Sequence, residues 1–344
     1  MNVKGGLYFH VPFCRNKCPY CDFYSVKYCK AEAEAYVKEL ISKMKEFSGS
    51  FDTVYFGGGT PSIVEPGLIG EILGEAKKQF DIDGKSEITI ECNPREDLTG
   101  AFRLYADYGI NRISIGMQSA VDSERFALGR SAGRAEVKRT VEAAKNAGIE
   151  NISLDLMLGI PKQTLSSLDE SLDFIDKMKV KHVSAYMLKI EENTKFFGMR
   201  DRLELPDEDE TSALYLKTVD ALNSLGLKQY EISNFAESGF ESRHNLKYWT
   251  LAPYLGIGKS AHSFRDGRRF YFDSDFNAVY DGEGGGTEER IMLGLRLCDG
   301  VKKELINKPY EQFIEMGLMK ELGSRIALTP EGMLVSNVII NELI

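Results

Sequence analysis

The chain has 344 residues, 43% hydrophobic and 28% charged, room for a main domain of roughly 200–250 residues and a smaller one. Its formal net charge of −9 argues against nucleic acid as a partner, because phosphate backbones select basic faces. No apolar run approaches the roughly 18 residues of a membrane span, no signal-peptide pattern opens the chain, and six cysteines are too sparse for a disulfide framework, so the cytoplasm is the expected compartment.

The first two-thirds alternate strand and helix. Strands are predicted over Gly6–Pro12, Asp52–Phe56, Glu87–Cys92, Arg112–Gln118, Ile152–Leu158 and His182–Leu188. Helices are predicted between them over Ala31–Phe47, Pro66–Phe80, Asp97–Tyr108, Arg134–Ala147 and Leu165–Met178. Gly109 and Gly148 follow two of these helices, where a left-handed cap is expected. Such alternation implies a parallel sheet with right-handed crossovers.

The strands do not read as the unbroken apolar runs of a doubly covered parallel sheet. Tyr8 and His10 oppose Leu7, Phe9 and Val11; Thr89, Glu91 and Asn93 oppose Ile88, Ile90 and Cys92; Ser114, Gly116 and Gln118 oppose Ile113, Ile115 and Met117. Ser153 and Asp155 oppose Ile152, Leu154 and Leu156, and Ser184 and Tyr186 oppose Val183 and Ala185. Successive side chains point to opposite faces. Apolar residues therefore go to the helices and polar ones inward, into a lumen suited to a polar ligand, with the site at the strand C-termini.

Beyond Leu188 the pattern changes. A charged connection ends in Glu204-Leu205-Pro206-Asp207-Glu208-Asp209-Glu210, which reads as the acidic cap of a helix over Thr211–Leu225 rather than a metal site. Tyr230–Phe235 is a further strand candidate, and Asp281–Thr287 the best linker. Helices over Glu288–Leu297 and Tyr310–Met316, a short wing strand at Arg325–Thr329 and a helix over Pro330–Leu343 make a small winged-helix-like tail.

Cys14, Cys18 and Cys21 stand at C-x3-C-x2-C spacing after the first strand. Soft thiolates on one compact loop suit iron–sulfur chemistry, and three ligands on a four-iron cluster leave one iron open. A zinc site remains an alternative, with Asp22 or His10 as the fourth ligand. Gly57-Gly58-Gly59-Thr60-Pro61 follows the next strand, and consecutive glycines let a ligand approach the backbone.

The cysteine loop resembles that of the radical S-adenosylmethionine (SAM) superfamily, in which SAM chelates the open iron and is cleaved to a 5′-deoxyadenosyl radical. Tyr8-Phe9-His10-Val11-Pro12-Phe13-Cys14, Gly57-Gly58-Gly59-Thr60-Pro61-Ser62, Gly116-Met117-Gln118-Ser119 and Asp155-Leu156-Met157-Leu158-Gly159-Ile160-Pro161 together resemble the oxygen-independent coproporphyrinogen III oxidase family, over nearly the whole chain. The resemblance implies an α/β fold, a radical SAM partial (β/α)6 barrel with a small C-terminal helical, winged-helix-like domain. Its implied domains are a core over 1–235, a connecting segment over 236–286 and a C-terminal helical domain over 287–344. It also implies a 4Fe-4S cluster on Cys14, Cys18 and Cys21. Tyr8, Tyr20, Gly58, Gly59, Thr60, Glu91, Gln118, Arg130 and Asp155 would stand at or around SAM. Glu91 and Asp155 suit the ammonium or ribose hydroxyls, and Arg130 suits a carboxylate, although Arg130 also reads as a surface charge at a helix start.

Two departures point to the family's haem chaperone (HemW) branch. Phe23 stands where the oxidases carry a further cysteine, and the first strand begins almost at Met1, without their N-terminal extension. His244-Asn245-Leu246-Lys247-Tyr248-Trp249 matches the HNxxYW signature of that branch. The implied function is a haem chaperone holding cluster, SAM and haem and passing haem to an acceptor protein; a reductant protein such as flavodoxin or ferredoxin is compatible with it. The alternative is radical decarboxylation of coproporphyrinogen III. His244 suits an axial haem ligand, with Tyr248 and Trp249 on the porphyrin face; a histidine bonded within a core loop fits the chemistry equally.

The remaining residues carry weaker signals. His10 lies beside the cysteine loop, while His182 and His262 read as structural. Arg265, Arg268 and Arg269 suit porphyrin propionates, but a solvated hairpin around Asp266-Gly267 explains them better. Cys92 and Cys298 read as small buried hydrophobes and Cys29 as an incidental thiol.

Overall fold

The computed structural model describes residues 4–94 and 97–344. The chain begins with β1 (Gly5–Val11), a two-residue β2 (Phe13–Cys14) and β3 (Val26–Lys27), then α1 (Lys30–Met44) and β4 (Ser50–Gly58). It continues through α2 (Pro66–Gln79), β5 (Asp81–Cys92), α3 (Thr99–Tyr108) and β6 (Arg112–Gln118). A short α4 (Asp122–Ala127), not expected from the sequence, precedes α5 (Arg134–Asn146), β7 (Asn151–Leu158), α6 (Leu165–Met178) and β8 (His182–Met187).

Strands β1, β4, β5, β6, β7 and β8 lie side by side and parallel, in chain order. The alternation sorts as the period-2 pattern requires. Leu7, Phe9, Val54, Phe56, Ile90, Ile113, Ile115, Ile152 and Leu154 are fully buried in the core shared with the helices. Burying such a side chain contributes about 1.5–3 kcal/mol. The opposite face carries the polar set. Helix ends also follow local chemistry. Gly109 closes α3 at φ +95, letting Ile110 N–H reach Tyr105 O at 2.9 Å.

The acidic run does cap a helix. In α7 (Glu208–Ser224), Asp207 accepts from Glu210 N–H at 2.8 Å and Glu210 accepts from Asp207 N–H at 2.9 Å, a reciprocal capping box. The single strand expected over Tyr230–Phe235 is instead an antiparallel pair, β9 (Lys228–Glu231) and β10 (Asn234–Ala236), which ends the sheet beyond β8.

Residues 236–286 are more than a connection. After α8 (Arg243–Trp249) they supply β11 (Tyr254–Ile257), β12 (His262–Arg265), β13 (Arg268–Phe272) and β14 (Ala278–Glu283). β11 pairs parallel with β1, placing Gly256 opposite Tyr8. The other three continue antiparallel, completing a twelve-stranded sheet. The sequence hid these strands because they are short and their hairpin is rich in charge. Arg265 is used on the Ser48 carbonyl, Arg268 pairs with Glu283 and Arg269 with Glu289, the hairpin reading rather than a propionate site.

The tail comprises α9 (Thr287–Gly294), β15 (Val301–Lys302), α10 (Glu311–Glu315), β16 (Met319–Leu322), β17 (Arg325–Leu328), α11 (Pro330–Leu334) and α12 (Ser336–Leu343). The expected last helix is thus two, and the wing is a three-stranded antiparallel sheet in the order β15-β17-β16. Gly300 enters β15 at φ +61, where a Cβ would overlap the Ile326 carbonyl oxygen. Gly300→Ala is expected to destabilise the tail by about 3 kcal/mol. Limited proteolysis should then cut within 287–344 while the barrel stays intact.

Candidate cofactor site at the barrel mouth

The cysteine loop leaves β1 at the barrel's C-terminal end. It is tied down by backbone bonds: Val26 N–H to Pro12 O at 2.7 Å, Tyr28 N–H to Cys14 O at 2.9 Å and Cys21 N–H to Cys18 O at 3.1 Å. Cys14, Cys18 and Cys21 are all free thiols and half-buried. Burial pushes the Cys14 and Cys21 thiols up. Among the described residues, no three His, Cys, Asp or Glu side chains converge closely enough to hold one metal ion. His10, one of the two candidate fourth ligands of a zinc site, is engaged elsewhere, with Nε2 2.9 Å from the Tyr24 carbonyl oxygen. A cubane takes each thiolate on a different iron, so its three ligands need no common point. Soft donors on a half-open loop fit a 4Fe-4S cluster.

The glycine run crosses directly behind this loop. Gly59 N–H donates to Val11 O at 2.9 Å and Thr60 N–H to Phe13 O at 2.8 Å. A Cβ on Gly59 would lie 2.7 Å from the Pro12 and Phe13 backbone, and one on Gly58, at φ +107, would lie 2.5 Å from the His10 ring. The glycines are therefore required by close approach of two chain segments. Thr60 Oγ1 stands 3.6 Å from Cys14 Sγ.

Inside the mouth, Glu91 accepts from Tyr55 OH at 2.9 Å and from Gly58 N–H at 3.3 Å. Asp155 accepts from Ser114 Oγ at 3.0 Å. Burial pushes Glu91 up to about 7 and Asp155 to about 6, the hydrogen bonds opposing it. Arg130 donates to Tyr20 OH from Nε at 3.0 Å and Nη2 at 2.7 Å, so it is turned toward the cysteine loop rather than out to solvent. Gln118 takes φ +69 at the end of β6, and its Oε1 accepts from Tyr186 OH at 2.8 Å. A left-handed non-glycine residue at a strand end marks a position the surroundings over-determine. Tyr8, whose hydroxyl lies 3.2 Å from His10 Nδ1, stacks on Tyr55. One cleft is lined by Arg15, Asn16, Cys18, Thr60, Asn93 and Arg130. The structure thus brings together Cys14, Cys18, Cys21, Tyr8, Tyr20, Gly58, Gly59, Thr60, Glu91, Gln118, Arg130 and Asp155. Tyr55 and Arg112 were missed. The parity of β4 and β6 was the available signal, since both share the inward face with Glu91's partners.

His244 is placed elsewhere. It lies at the opposite, closed end of the barrel, 1% exposed. Its Nδ1 is 2.8 Å from Thr53 Oγ1 and its Nε2 is 2.8 Å from Tyr248 OH. Its ring stacks on Tyr55 at 5.1 Å. Burial, helped by Lys247 and Arg112, lowers it to about 3, so it is neutral. Both ring nitrogens are engaged, and neither is presented to a porphyrin. Trp249 points away, with the Arg296 guanidinium 5.6 Å from its ring at the tail. His244, Tyr248 and Trp249 do not share one binding face.

Residues 8–175 match the Radical SAM superfamily and residues 287–335 the HemN C-terminal domain. The heme chaperone HemW of Lactococcus lactis is 31% identical over 365 residues, covering 98% of this chain and 96% of that protein. The chain belongs to the HemW family of radical SAM proteins. HemW of Escherichia coli is 36% identical over 272 residues, covering 76% of this chain and 71% of its own. The mitochondrial radical S-adenosyl methionine domain-containing protein 1 of Mus musculus is 33% identical, covering 94% and 74%. The solved coproporphyrinogen III oxidase (HemN) from Escherichia coli superposes with a TM-score of 0.83 over 99% of this chain and 90% of that one, at 19% identity, which shows the shared fold. Membership in this family brings a 4Fe-4S cluster and SAM as cofactors, and the thiolates and the polar mouth fit both. Among the described residues no helix is long and apolar enough to cross a membrane.

Two outcomes follow from this HemW-family site. Glu91 and Asp155 titrate above their unfolded values, so they favour the fold at low pH, and that contribution is lost as pH rises through about 6 and 7. The SAM-free protein should lose on the order of 6 kcal/mol between pH 4 and pH 8, about 3 from each acid; thermal melts of Glu91→Gln should show a visibly shallower slope. His244→Ala leaves Thr53 and Tyr248 hydroxyls unpaired in a buried site. Urea melts should show a loss of about 2–4 kcal/mol.

Proposed function

We propose that this protein is a haem chaperone that holds a 4Fe-4S cluster and SAM at the barrel mouth, binds haem, and passes it to an acceptor protein. The observation that carries this reading is likeness to proteins named heme chaperone HemW along almost the entire chain. The likeness to the oxidase is one of fold, at 19% identity. Phe23 supports the same branch: it stands two residues after Cys21, 68% exposed.

On this reading Cys14, Cys18 and Cys21 hold three irons. Burial raises the Cys14 and Cys21 thiols, so cluster loading releases protons and is favoured at higher pH. The cluster and SAM supply one-electron chemistry when bound. The chain's own part is to orient the cofactor. Glu91 and Asp155 accept its ammonium or ribose donors, and Arg130, steadied by Tyr20, meets its carboxylate. The Gly58–Gly59 backbone gives close approach, and Gln118 and Thr60 complete the polar wall. An acceptor protein takes the haem, and a flavodoxin- or ferredoxin-type reductant is a compatible electron donor.

Anaerobically reconstituted protein, given haemin in one arm and coproporphyrinogen III with SAM and reductant in the other, should show stoichiometric haem uptake by a Soret shift and no decarboxylated porphyrin. Decarboxylation without haem uptake would reverse the assignment to the oxidase. In the same preparation Cys18→Ser should lose the visible absorbance of the cluster. Haem titration of His244→Ala, corrected for its folded fraction, should match the parent.

A further inference from the structure

Arg112 and Arg125 are the largest fully buried side chains among the described residues, each 1% exposed; Arg125 donates to the Met117 and Ser119 carbonyls, whereas Arg112 has no such bond there. It opens β6 on the inward face, in register with Thr89 of β5 and Asn151 of β7. Both cross-strand neighbours are uncharged. Its Nε has no hydrogen-bond partner among the described residues, and no carboxylate there lies within salt-bridge distance of it. An unpaired guanidinium in such a place costs several kcal/mol of desolvation. A side chain serving the fold alone would not need that charge.

The groups around it are nearly all neutral. His182 and His244 are held neutral by burial, with Arg112 adding to the effect. Tyr55 and Tyr230 are buried phenols pushed up by desolvation. On the floor side the buried Glu87 carboxylate is taken up by the Arg243 and His244 N–H groups; on the mouth side stand Glu91, the next inward position of β5, and Asp155, two inward positions along β7. Glu91 is faced by Tyr55, the Gly58 N–H, Tyr8, Tyr248 and Asp155. Asp155 is faced by Ser114, Ser184, Arg130 and Tyr186. Arg130 sits at the mouth, engaged with Tyr20, which leaves Arg112 as the cation set beneath both acids.

We propose that Arg112 is a positioning residue of the SAM site, a guanidinium kept without an ion pair inside the barrel so that its field favours the anionic forms of Glu91 and Asp155 that receive the cofactor. With Arg112 in place burial still raises Glu91 to about 7 and Asp155 to about 6; without it both acids would keep their protons to higher pH, and a protonated pair could not receive the cofactor's ammonium. The field acts through a dry interior, where a charge is felt more strongly than in water. The inference rests on the reading that SAM binds between Glu91, Asp155 and Arg130.

The test uses anaerobic, cluster-loaded full-length protein, with SAM affinity measured by calorimetry from pH 6 to pH 8.5 and melting temperature measured without SAM. Arg112→Met should melt at or above the parent temperature, because an uncompensated buried charge is gone. Its SAM affinity at pH 7 should fall about tenfold, the factor carried by one pKa unit. The loss should shrink toward pH 8.5, since the midpoint of binding moves up when a nearby cation is removed. Arg112→Lys should keep the parent midpoint. Affinity and midpoint within twofold of the parent would overturn the proposal. So would a lowered melting temperature or a variant too unstable to purify, for the charge would then be holding the fold. Failure of the parent protein itself to bind SAM would instead sink the cofactor reading.

Discussion

Everything in this barrel answers one constraint: parallel strands covered by helices outside must dispose of a polar inner face. Thr53, Glu87, Thr89, Arg112, Ser114 and Ser153 are all buried, where an unsatisfied polar group costs about 1–3 kcal/mol. The molecule meets this by stratification. Toward the closed end most groups satisfy one another, as with Ser153 Oγ 2.8 Å from His182 Nδ1 and Tyr230 OH 2.9 Å from its Nε2, while Arg112 Nε, Thr89 Oγ1 and Asn151 Oδ1 find no partner among the described residues. At the mouth Glu91, Asp155 and Arg130 are hydrogen-bonded to Tyr55, Ser114 and Tyr20, none of them an ion-pair partner. A ligand that brings its own ammonium, carboxylate and hydroxyls completes this layer.

The stratification also sets which acids respond to ligand. Glu91 and Asp155 are raised by desolvation, with no ion pair to counter it. A bound cation would add to the Arg112 field and bring them further down. Binding and ionisation are therefore linked at the mouth, while the two buried histidines below are too far from their ordinary range to take part at neutral pH.

The barrel was legible because two local periods agreed. Alternation fixed the inward residues, and glycine caps fixed where helices stopped; β6 and α6 fall on the expected residues. The cofactor loop was legible from spacing, and family resemblance supplied the partners that spacing could not. What was not legible depends on pairing over long separation. β11 reads as four apolar residues, and nothing local reveals that it lies beside β1, some 250 positions earlier. Parity alone puts Tyr55 on the inward face, but its bridge between Glu91 and His244 is visible only in three dimensions. His244 was the sharper lesson. A histidine amid aromatics suits metal ligation as a composition, yet here the aromatics stack on it and the hydroxyls occupy both nitrogens.

The HNxxYW segment is accounted for residue by residue as a closure of the barrel floor. The Glu87 carboxylate accepts from Arg243 N–H at 3.1 Å and His244 N–H at 3.0 Å, stabilising the start of α8 as a carboxylate at a helix N-terminus does. Lys247 lays its ammonium between Asp52 at 2.6 Å and the Lys4 carbonyl at 2.9 Å, tying α8 to β1 and β4. Tyr248 packs edge-on against Tyr254, at 4.7 Å between rings, on β11. Trp249 meets Arg296, which also reaches Asn337 in the tail. One seven-residue helix therefore contacts the first strand, the returning strand and the C-terminal unit at once. His244 stacks beneath Tyr55, and Tyr55 donates to Glu91, so two contacts separate the floor from a carboxylate of the mouth. A change at this helix reaches cofactor binding through Tyr55 without the helix touching the cofactor, and loss of binding in such a variant carries no implication of direct ligation.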